Sequence, residues 1–432
     1  MTRASAVFAA LYLLAPALHA EAIPSAAPEE VGLSSARLAR IRQVLRAEVD
    51  DKKLPGAVAL VARKGRVAYF DAVGARDPGS GAALGKDAIF RIYSMTKPFV
   101  SVAAMMLVEE GRIVLSDPVS KYLPAFAKVQ VSVAKPDSAT GKPAYEMVAA
   151  SPAPTVYDLL RHTSGLAYAF STSNAPVKEA YGKRGIVRPD SLHAYRDLTA
   201  AEEVEALGGA PLAHQPGRVW EYGLSTDVLG RVVEVASGKR LGEFLEARIF
   251  KPLQMADTSF FVPKDRAARL AQAFATDPAT GQPSSLIDVL APPKNDSGGA
   301  GAVSTASDYL RFCEMLLHGG ELDGVRLLSR SSVILMTSDH LGNLLEAGPT
   351  PGELLLGAKG YTFGLGFAVR REDGLASVPG RAGEVTWGGA AGTYFWIDPH
   401  EELIGILMTQ APGARVYYRK LFRQLVYAAI AD

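Results

Sequence analysis

An apolar run from Phe99 to Glu110 leaves this chain little choice of architecture. It contains Val100, Val102, Ala103, Ala104, Met105, Met106, Leu107 and Val108 and stops at Gly111. A helix built from these residues is apolar nearly all round, so the rest of the chain must enclose it. Gly111 supplies a C-terminal stop and Pro98 helps to place the start. Proline is tolerated in the first helical turn, where backbone N–H groups lack intrahelical partners, and breaks a helix further in. Just before it stands Ser94-Met95-Thr96-Lys97. The pattern therefore puts Ser94 at the mouth of a buried helix, with Lys97 one turn later on the same face.

That placement has chemical content. A helix N-terminus offers free N–H groups and a partial positive charge that stabilise an oxyanion beside the serine. An ammonium nearby lowers the cost of ionising the hydroxyl, and a neutral amine can accept its proton. The chain carries its own control in Ser132-Val133-Ala134-Lys135, which has the same spacing. Its flanks alternate at Val129, Val131 and Val133 like a strand, which sends residues i and i+3 to opposite faces. Turn formers Pro136, Asp137, Ser138 and Gly141 follow, so no helix grows from that serine. Ser94 is the candidate nucleophile and Ser132 is not.

A length of 432 residues admits two domains, or one large domain with a sizeable insertion. With 48% hydrophobic and 21% charged residues the composition is that of an ordinary globular protein. A formal net charge of +1 gives no reason to expect nucleic acid or an anionic membrane as a partner. The first stretch is different. Arg3, an apolar core from Ala6 to Leu18, and Leu18-His19-Ala20-Glu21-Ala22 read as a secretory signal peptide cleaved after Ala20 or Ala22. The apolar core is too short to span a bilayer. Residues 1–22 are therefore set aside from the fold, and the mature protein is expected in the periplasm or secreted. Cys313 is the single cysteine, so no intrachain disulfide can form. It sits in a helical pattern from Asp308 to Leu317 and reads as a buried packing residue.

After a helix around Ser34 to Val49, Gly56–Arg63 reads as a buried strand, Lys64-Gly65 as a turn, and Arg66–Gly74 as its antiparallel partner. Near the other end, Gly392–Asp398 and Leu403–Met408 form a second hairpin, followed by a helix from about Val416 to Ala429. Strands at both ends with helical patterns between them predict an α+β fold: one antiparallel sheet built from both termini and flanked by helices. Residues 23–110 and 297–432 would form this sheet domain, and 111–296 a mainly helical insertion. The insertion holds helical patterns at Val156–Arg161 (capped by Thr155), Ala200–Leu207, Ser225–Gly238 and Glu243–Ile249. The stretches 129–154 and 277–297 are rich in Pro, Gly, Ser and Asp and read as loops. No internal repeat stands out.

Several chemistries leave no trace: G-x-S-x-G, H-E-x-x-H, G-x-x-x-x-G-K-[ST] and G-x-G-x-x-G are all absent. The seven histidines have no metal-ligand spacing, and His162, at a helix end, reads as a capping residue. Downstream, Pro216-Gly217-Arg218-Val219-Trp220-Glu221-Tyr222 leads from a turn into the helix at Ser225, and a tyrosine on such a loop can deliver a phenol to a site. Trp387-Gly388-Gly389-Ala390-Ala391-Gly392 leads into the strand at Tyr394, where glycines let backbone approach a ligand.

Together, Ser94-Met95-Thr96-Lys97, Tyr222 after Pro-Gly, and Trp387-Gly388-Gly389 resemble the three motifs of the serine beta-lactamase and penicillin-binding-protein superfamily. The pattern is most similar to its esterase branch, the family VIII carboxylesterases related to class C beta-lactamases. Leu159–Leu166 and Gly298–Thr305 support the resemblance, which runs from about Ile23 to the C-terminus. It implies the beta-lactamase/transpeptidase-like fold, with Ser94 as acylated nucleophile and Lys97 and Tyr222 sharing the proton work. Reference pKa values near 10 leave either group mostly protonated at neutral pH, so their coupling must shift them. The backbone N–H groups of Ser94 and Ala390 would form the oxyanion hole. The resemblance implies neither metal nor organic cofactor, and a small-molecule ester as the partner.

Two departures bear on substrate. The lactamase tyrosine motif continues to an asparagine two residues on, where this chain has Leu224; the lactamase third motif begins Lys-Thr-Gly, where this chain has Trp387-Gly388-Gly389. Losing the cation and the amide weakens recognition of an anionic beta-lactam, and a tryptophan wall suits neutral, apolar acyl groups. Trp387, Gly388, Gly389 and Leu224 are thus the expected substrate-binding set. The resemblance then implies hydrolysis of short- to medium-chain carboxylic esters, with weak beta-lactam hydrolysis beside it. The alternatives are a class C-like beta-lactamase or D-alanyl-D-alanine peptidase, an acyl transfer to another alcohol, and a non-catalytic penicillin-binding or sensor domain.

Overall fold

A computed structural model describes residues 23–136, 143–188, 193–347 and 350–432. The expected signal peptide, residues 1–22, lies outside these. Eight antiparallel strands form the main sheet. Three come from the N-terminal part: β1 (Gly56–Arg63), β2 (Arg66–Asp77) and β3 (Ala82–Ala83). Five come from the C-terminal part: β4 (Tyr361–Phe363), β5 (Ala368–Arg370), β6 (Val385–Gly388), β7 (Tyr394–Asp398) and β8 (Leu403–Thr409). The order is β4-β5-β6-β7-β8-β1-β2-β3, and the two parts join at β1–β8, in register from Ala57 opposite Thr409 to Arg63 opposite Leu403.

Helices α1 (Ser35–Asp50), α2 (Lys97–Glu109), α3 (Ser225–Ser237), α4 (Ala306–Leu317) and α5 (Arg415–Tyr427) complete the frame. Strands β1, β7 and β8 are buried at every residue because helices cover both faces of the sheet. Consecutive residues of β7 show this: Phe395 meets Tyr309 of α4 (5.0 Å between ring centroids), and Trp396, pointing the other way, meets Phe422 of α5 (5.4 Å). Ser34 caps α1 and Thr305 caps α4 through their side chains. Every residue of α2 from Lys97 to Leu107 is buried. Phe99 packs among the rings of Phe250, Tyr309 and Phe312, at 5.2, 5.2 and 4.6 Å. The apolar run is enclosed as its composition requires.

Two expectations need correction. Ser94 lies in a 3-10 turn, Tyr93–Thr96, that runs into α2 at Lys97, so it stands one tight turn before the α-helix. The stretch 129–154 is also not all loop: Gln130–Pro136 and Pro143–Ala149 pair as a hairpin, with Val131 opposite Val148 and Ala134 opposite Tyr145. An isolated two-stranded hairpin is marginal in water. This one is docked, since the Ser132 N–H donates to Leu212 O (2.9 Å) and the Leu212 N–H to Gln130 O (2.8 Å). By contrast, residues 277–297 hold no helix or strand beyond an isolated bridge between Thr276 and Pro283.

Candidate active site

The site begins with a backbone kink. Tyr93 has a φ of +44°, a left-handed conformation costing a residue with a Cβ roughly 1 kcal/mol or more. Its surroundings hold it there: the Ile287 N–H donates to the Tyr93 hydroxyl (3.0 Å), and Thr96 Oγ1 donates to the Tyr93 carbonyl (2.6 Å). Ser94 follows, half-buried, on the wall of a cavity of about 650 Å³.

Lys97 is fully buried. Its Nζ lies 3.5 Å from Ser94 Oγ, 3.1 Å from the Tyr168 hydroxyl and 2.8 Å from the Gly299 carbonyl. Two hydroxyls and a carbonyl thus converge on one buried amine nitrogen. The Gly299 carbonyl is held by Asp227 of α3, whose Oδ1 accepts from the Gly299 N–H (3.0 Å) and Ser297 Oγ (2.6 Å). A Cβ on Gly299 would lie 2.2 Å from Asp227 Oδ2, so only glycine permits this approach. Burial raises the Asp227 pKa, and the Lys97 charge draws it back down.

Tyr222 arrives on the loop before α3. Lys97 Nζ stands 4.7 Å from its ring centroid, and its buried hydroxyl has no hydrogen-bond partner among the described residues. The ring is wedged between His162 (4.8 Å) and Trp387 (5.2 Å). His162 follows the helix Val156–Leu160 at a φ of +57°, one residue beyond the C-cap Arg161, and its backbone N–H donates to Leu159 O (3.4 Å). Its ring does more. Nδ1 accepts from the Gly223 N–H (3.4 Å), and Nε2 lies 3.4 Å from Thr226 Oγ1. Burial pushes the imidazole pKa far down, and a neutral ring accepting at Nδ1 must carry its proton on Nε2. His162 thereby holds the Tyr222 loop from both sides.

The third motif lies against the first. A Cβ on Gly389 would come within 2.4 Å of the Ile92 carbonyl, so the end of β6 passes directly over the chain entering Ser94. The Gly389 N–H is taken by Thr393 O (2.8 Å) and its carbonyl by Arg419 Nη2 (2.6 Å). Ala390, exposed, lines the same cavity as Ser94, Trp387, Gly388 and Gly389. Leu224 does not. It is buried in the core, 1% exposed, as the residue preceding α3, so it is a packing residue and not part of the cavity wall.

Three functional side chains escaped the sequence reading. Tyr168 lies only two residues beyond the Leu159–Leu166 match, and Asp227 stands in the segment after Tyr222. Neither spacing reveals that both converge on Lys97. Arg419 is the third: with Arg415 it brings cations from α5 into the cavity wall, where none was expected. Burial and the neighbouring Arg415 lower its pKa to about 9, and among the described residues neither arginine forms an ion pair. Cys313 is buried and burial raises its thiol pKa, as suits a packing residue.

A hydroxyl and an amine at the mouth of a buried helix, sharing one cavity wall with the glycine-rich end of β6, form an arrangement that can transfer acyl groups. Set on an antiparallel sheet built from both chain ends, it defines a serine hydrolase of beta-lactamase fold. The chain belongs to the beta-lactamase family, whose sequence profile matches residues 41–429. Within it the chain stands with the esterase branch, the family VIII carboxylesterases related to class C beta-lactamases. It is 36% identical to Protein Rv1367c of Mycobacterium tuberculosis over 384 residues, covering 86% of this chain and 88% of that one. It is 31% identical to Esterase EstB of Burkholderia gladioli over 406 residues, covering 88% and 93%. Among solved structures it resembles EstCE1, described as a hydrolase with promiscuous acyltransferase activity, with a TM-score of 0.74 and 27% identity over 91% of this chain and 99% of that one.

Proposed function

We propose that this protein hydrolyses short- to medium-chain carboxylic esters through an acyl-enzyme on Ser94. The observation that carries the reading is the 3.5 Å approach of the buried Lys97 Nζ to Ser94 Oγ at the wall of a largely apolar cavity. Ser94 Oγ attacks the ester carbonyl carbon while its proton passes to whichever member of the Lys97–Tyr222 pair is deprotonated, amine or phenolate, and on to the departing alkoxide. The N–H groups of Ser94 and Ala390 receive the carbonyl oxygen as it gains charge. Water then attacks the acyl-enzyme, releasing the acid and returning the proton to Ser94. An alcohol in place of water would give transesterification by the same route. With p-nitrophenyl butyrate, Ser94→Ala is expected to lower turnover about a thousandfold or more. Equal rates in both proteins would overturn the mechanism.

Arg415 and Arg419 favour a second, minor reading. Arg415, half-buried in the cavity wall without an ion-pair partner among the described residues, can meet a substrate carboxylate with the buried Arg419 charge behind it, so slow, Ser94-dependent turnover of a chromogenic beta-lactam is part of the proposal. No release of product from such a substrate would remove this reading and leave the esterase intact.

A further inference from the structure

The serine that the sequence rejects as nucleophile returns in another role. We infer that Ser132 is a specificity residue, whose hydroxyl binds a hydroxyl or carbonyl oxygen carried by the ester away from the scissile bond. The inference rests on the esterase reading above and deepens it. Ser132 is 1% exposed and its Oγ has no hydrogen-bond partner among the described residues, yet it lines the cavity that holds Ser94. Strand pairing groups it with two other lining residues. Ser132 opposes Met147 and Ala134 opposes Tyr145, so these four share one face of the hairpin, and Ala134 and Tyr145 also line the cavity. Val131 and Val133, on the other face, pack against the core and also border the cavity.

The neighbouring polar groups are already engaged. The Ser132 N–H goes to Leu212 O (2.9 Å), and its carbonyl accepts from Asn174 Nδ2 (2.8 Å). Asn174 Oδ1 accepts from the Val177 N–H (3.4 Å), and Thr172 Oγ1 from the Asn174 N–H (3.3 Å). Hydroxyl Oγ of Ser132 is thus left over on a clamped wall. A buried hydroxyl without a partner costs free energy that alanine or valine would avoid, unless a ligand completes it. A hydroxyl donates and accepts, so either a hydroxyl or a carbonyl oxygen on the substrate completes it. Plain alkyl esters cannot.

The test compares paired esters in the whole protein. One set carries ω-hydroxyl or keto groups on acyl chains of different length, a second carries them on the alcohol, and each has its unsubstituted parent. In wild type at least one oxygenated ester is expected to exceed its parent in kcat/KM. Ser132→Ala should lower that ester about three- to tenfold, the size of one neutral hydrogen bond, and leave the parent within about twofold. Ser132→Thr, which keeps the hydroxyl, should restore most of the difference. No oxygenated ester preferred by wild type, or equal loss on both members of a pair, overturns the inference while Ser94-dependent hydrolysis of the parents still stands. Failure to hydrolyse any ester overturns the esterase reading and this inference with it. A thermal melt of each variant separates misfolding from lost recognition.

Discussion

Two phenols approach Lys97, and their hydroxyls stand in different situations. That of Tyr168 is 3.1 Å from Nζ and already engaged, whereas that of Tyr222 is buried, unpartnered and free to meet a reacting group. Burial among other acids also holds the Tyr168 pKa far above its ordinary value, so this phenol stays protonated and positions the amine. Tyr222→Phe should therefore cost about a hundredfold or more in kcat, the range of a lost proton-transfer group, and Tyr168→Phe about tenfold. Stopped-flow measurement of the nitrophenol burst checks both; equal losses would mean that the two phenols share the role. Ser94 and Lys97 were legible because their relation is local, three residues apart on one turn. Tyr168, Asp227 and Arg419 were not, because each reaches the site from a separate segment, and a contact across 71 residues leaves no period in the sequence. Leu224 was misassigned for a related reason: its position in the motif says nothing about which way it faces.

Helix α4 carries a titration of its own. Glu314 is 1% exposed, neither carboxyl oxygen has a hydrogen-bond partner among the described residues, and His318 Nδ1 stands 3.7 Å away. Burial raises its pKa from 4.5 to about 7. Between these values the folded state keeps a proton that the unfolded chain releases, so its stabilising share is complete below pH 4.5 and is lost as pH rises through about 7. The loss is on the order of 3 kcal/mol at about 1.4 kcal/mol per pKa unit. Glu314→Gln should flatten the fall in melting temperature across that range, as thermal denaturation at several pH values will show. A variant as pH-sensitive as wild type would refute this. Helices and long strands were read correctly because their periodicity repeats. The hairpin at Gln130–Pro136 was half-seen, its valine alternation outweighed by turn formers that follow it, and docking on Leu212 is what makes it a pair of strands.

At the scale of the whole molecule, the buried core runs without a break from the sheet through α2 into the helices of the insertion. Helix α2 lies in the first sheet-building segment, yet its apolar surface is covered by α3 of residues 111–296. A fragment of residues 111–296 alone would expose the face of α3 that α2 covers. It should lack near-ultraviolet circular dichroism and a cooperative melt. A sharp melt would show that the insertion folds by itself. The sequence alone determined the long helices and the two terminal hairpins, the pairing of two chain ends in one sheet, and the motif that places a lysine beside a serine. All of these follow from short-range spacing and from the need to hide apolar side chains from water. Only the tertiary structure decided which phenol holds Lys97, that α5 returns cations to the cavity, and that Ser132 faces it. Those facts depend on which distant segments pack together, and side-chain direction at such a contact is set by the partner surface and not by neighbours in the chain.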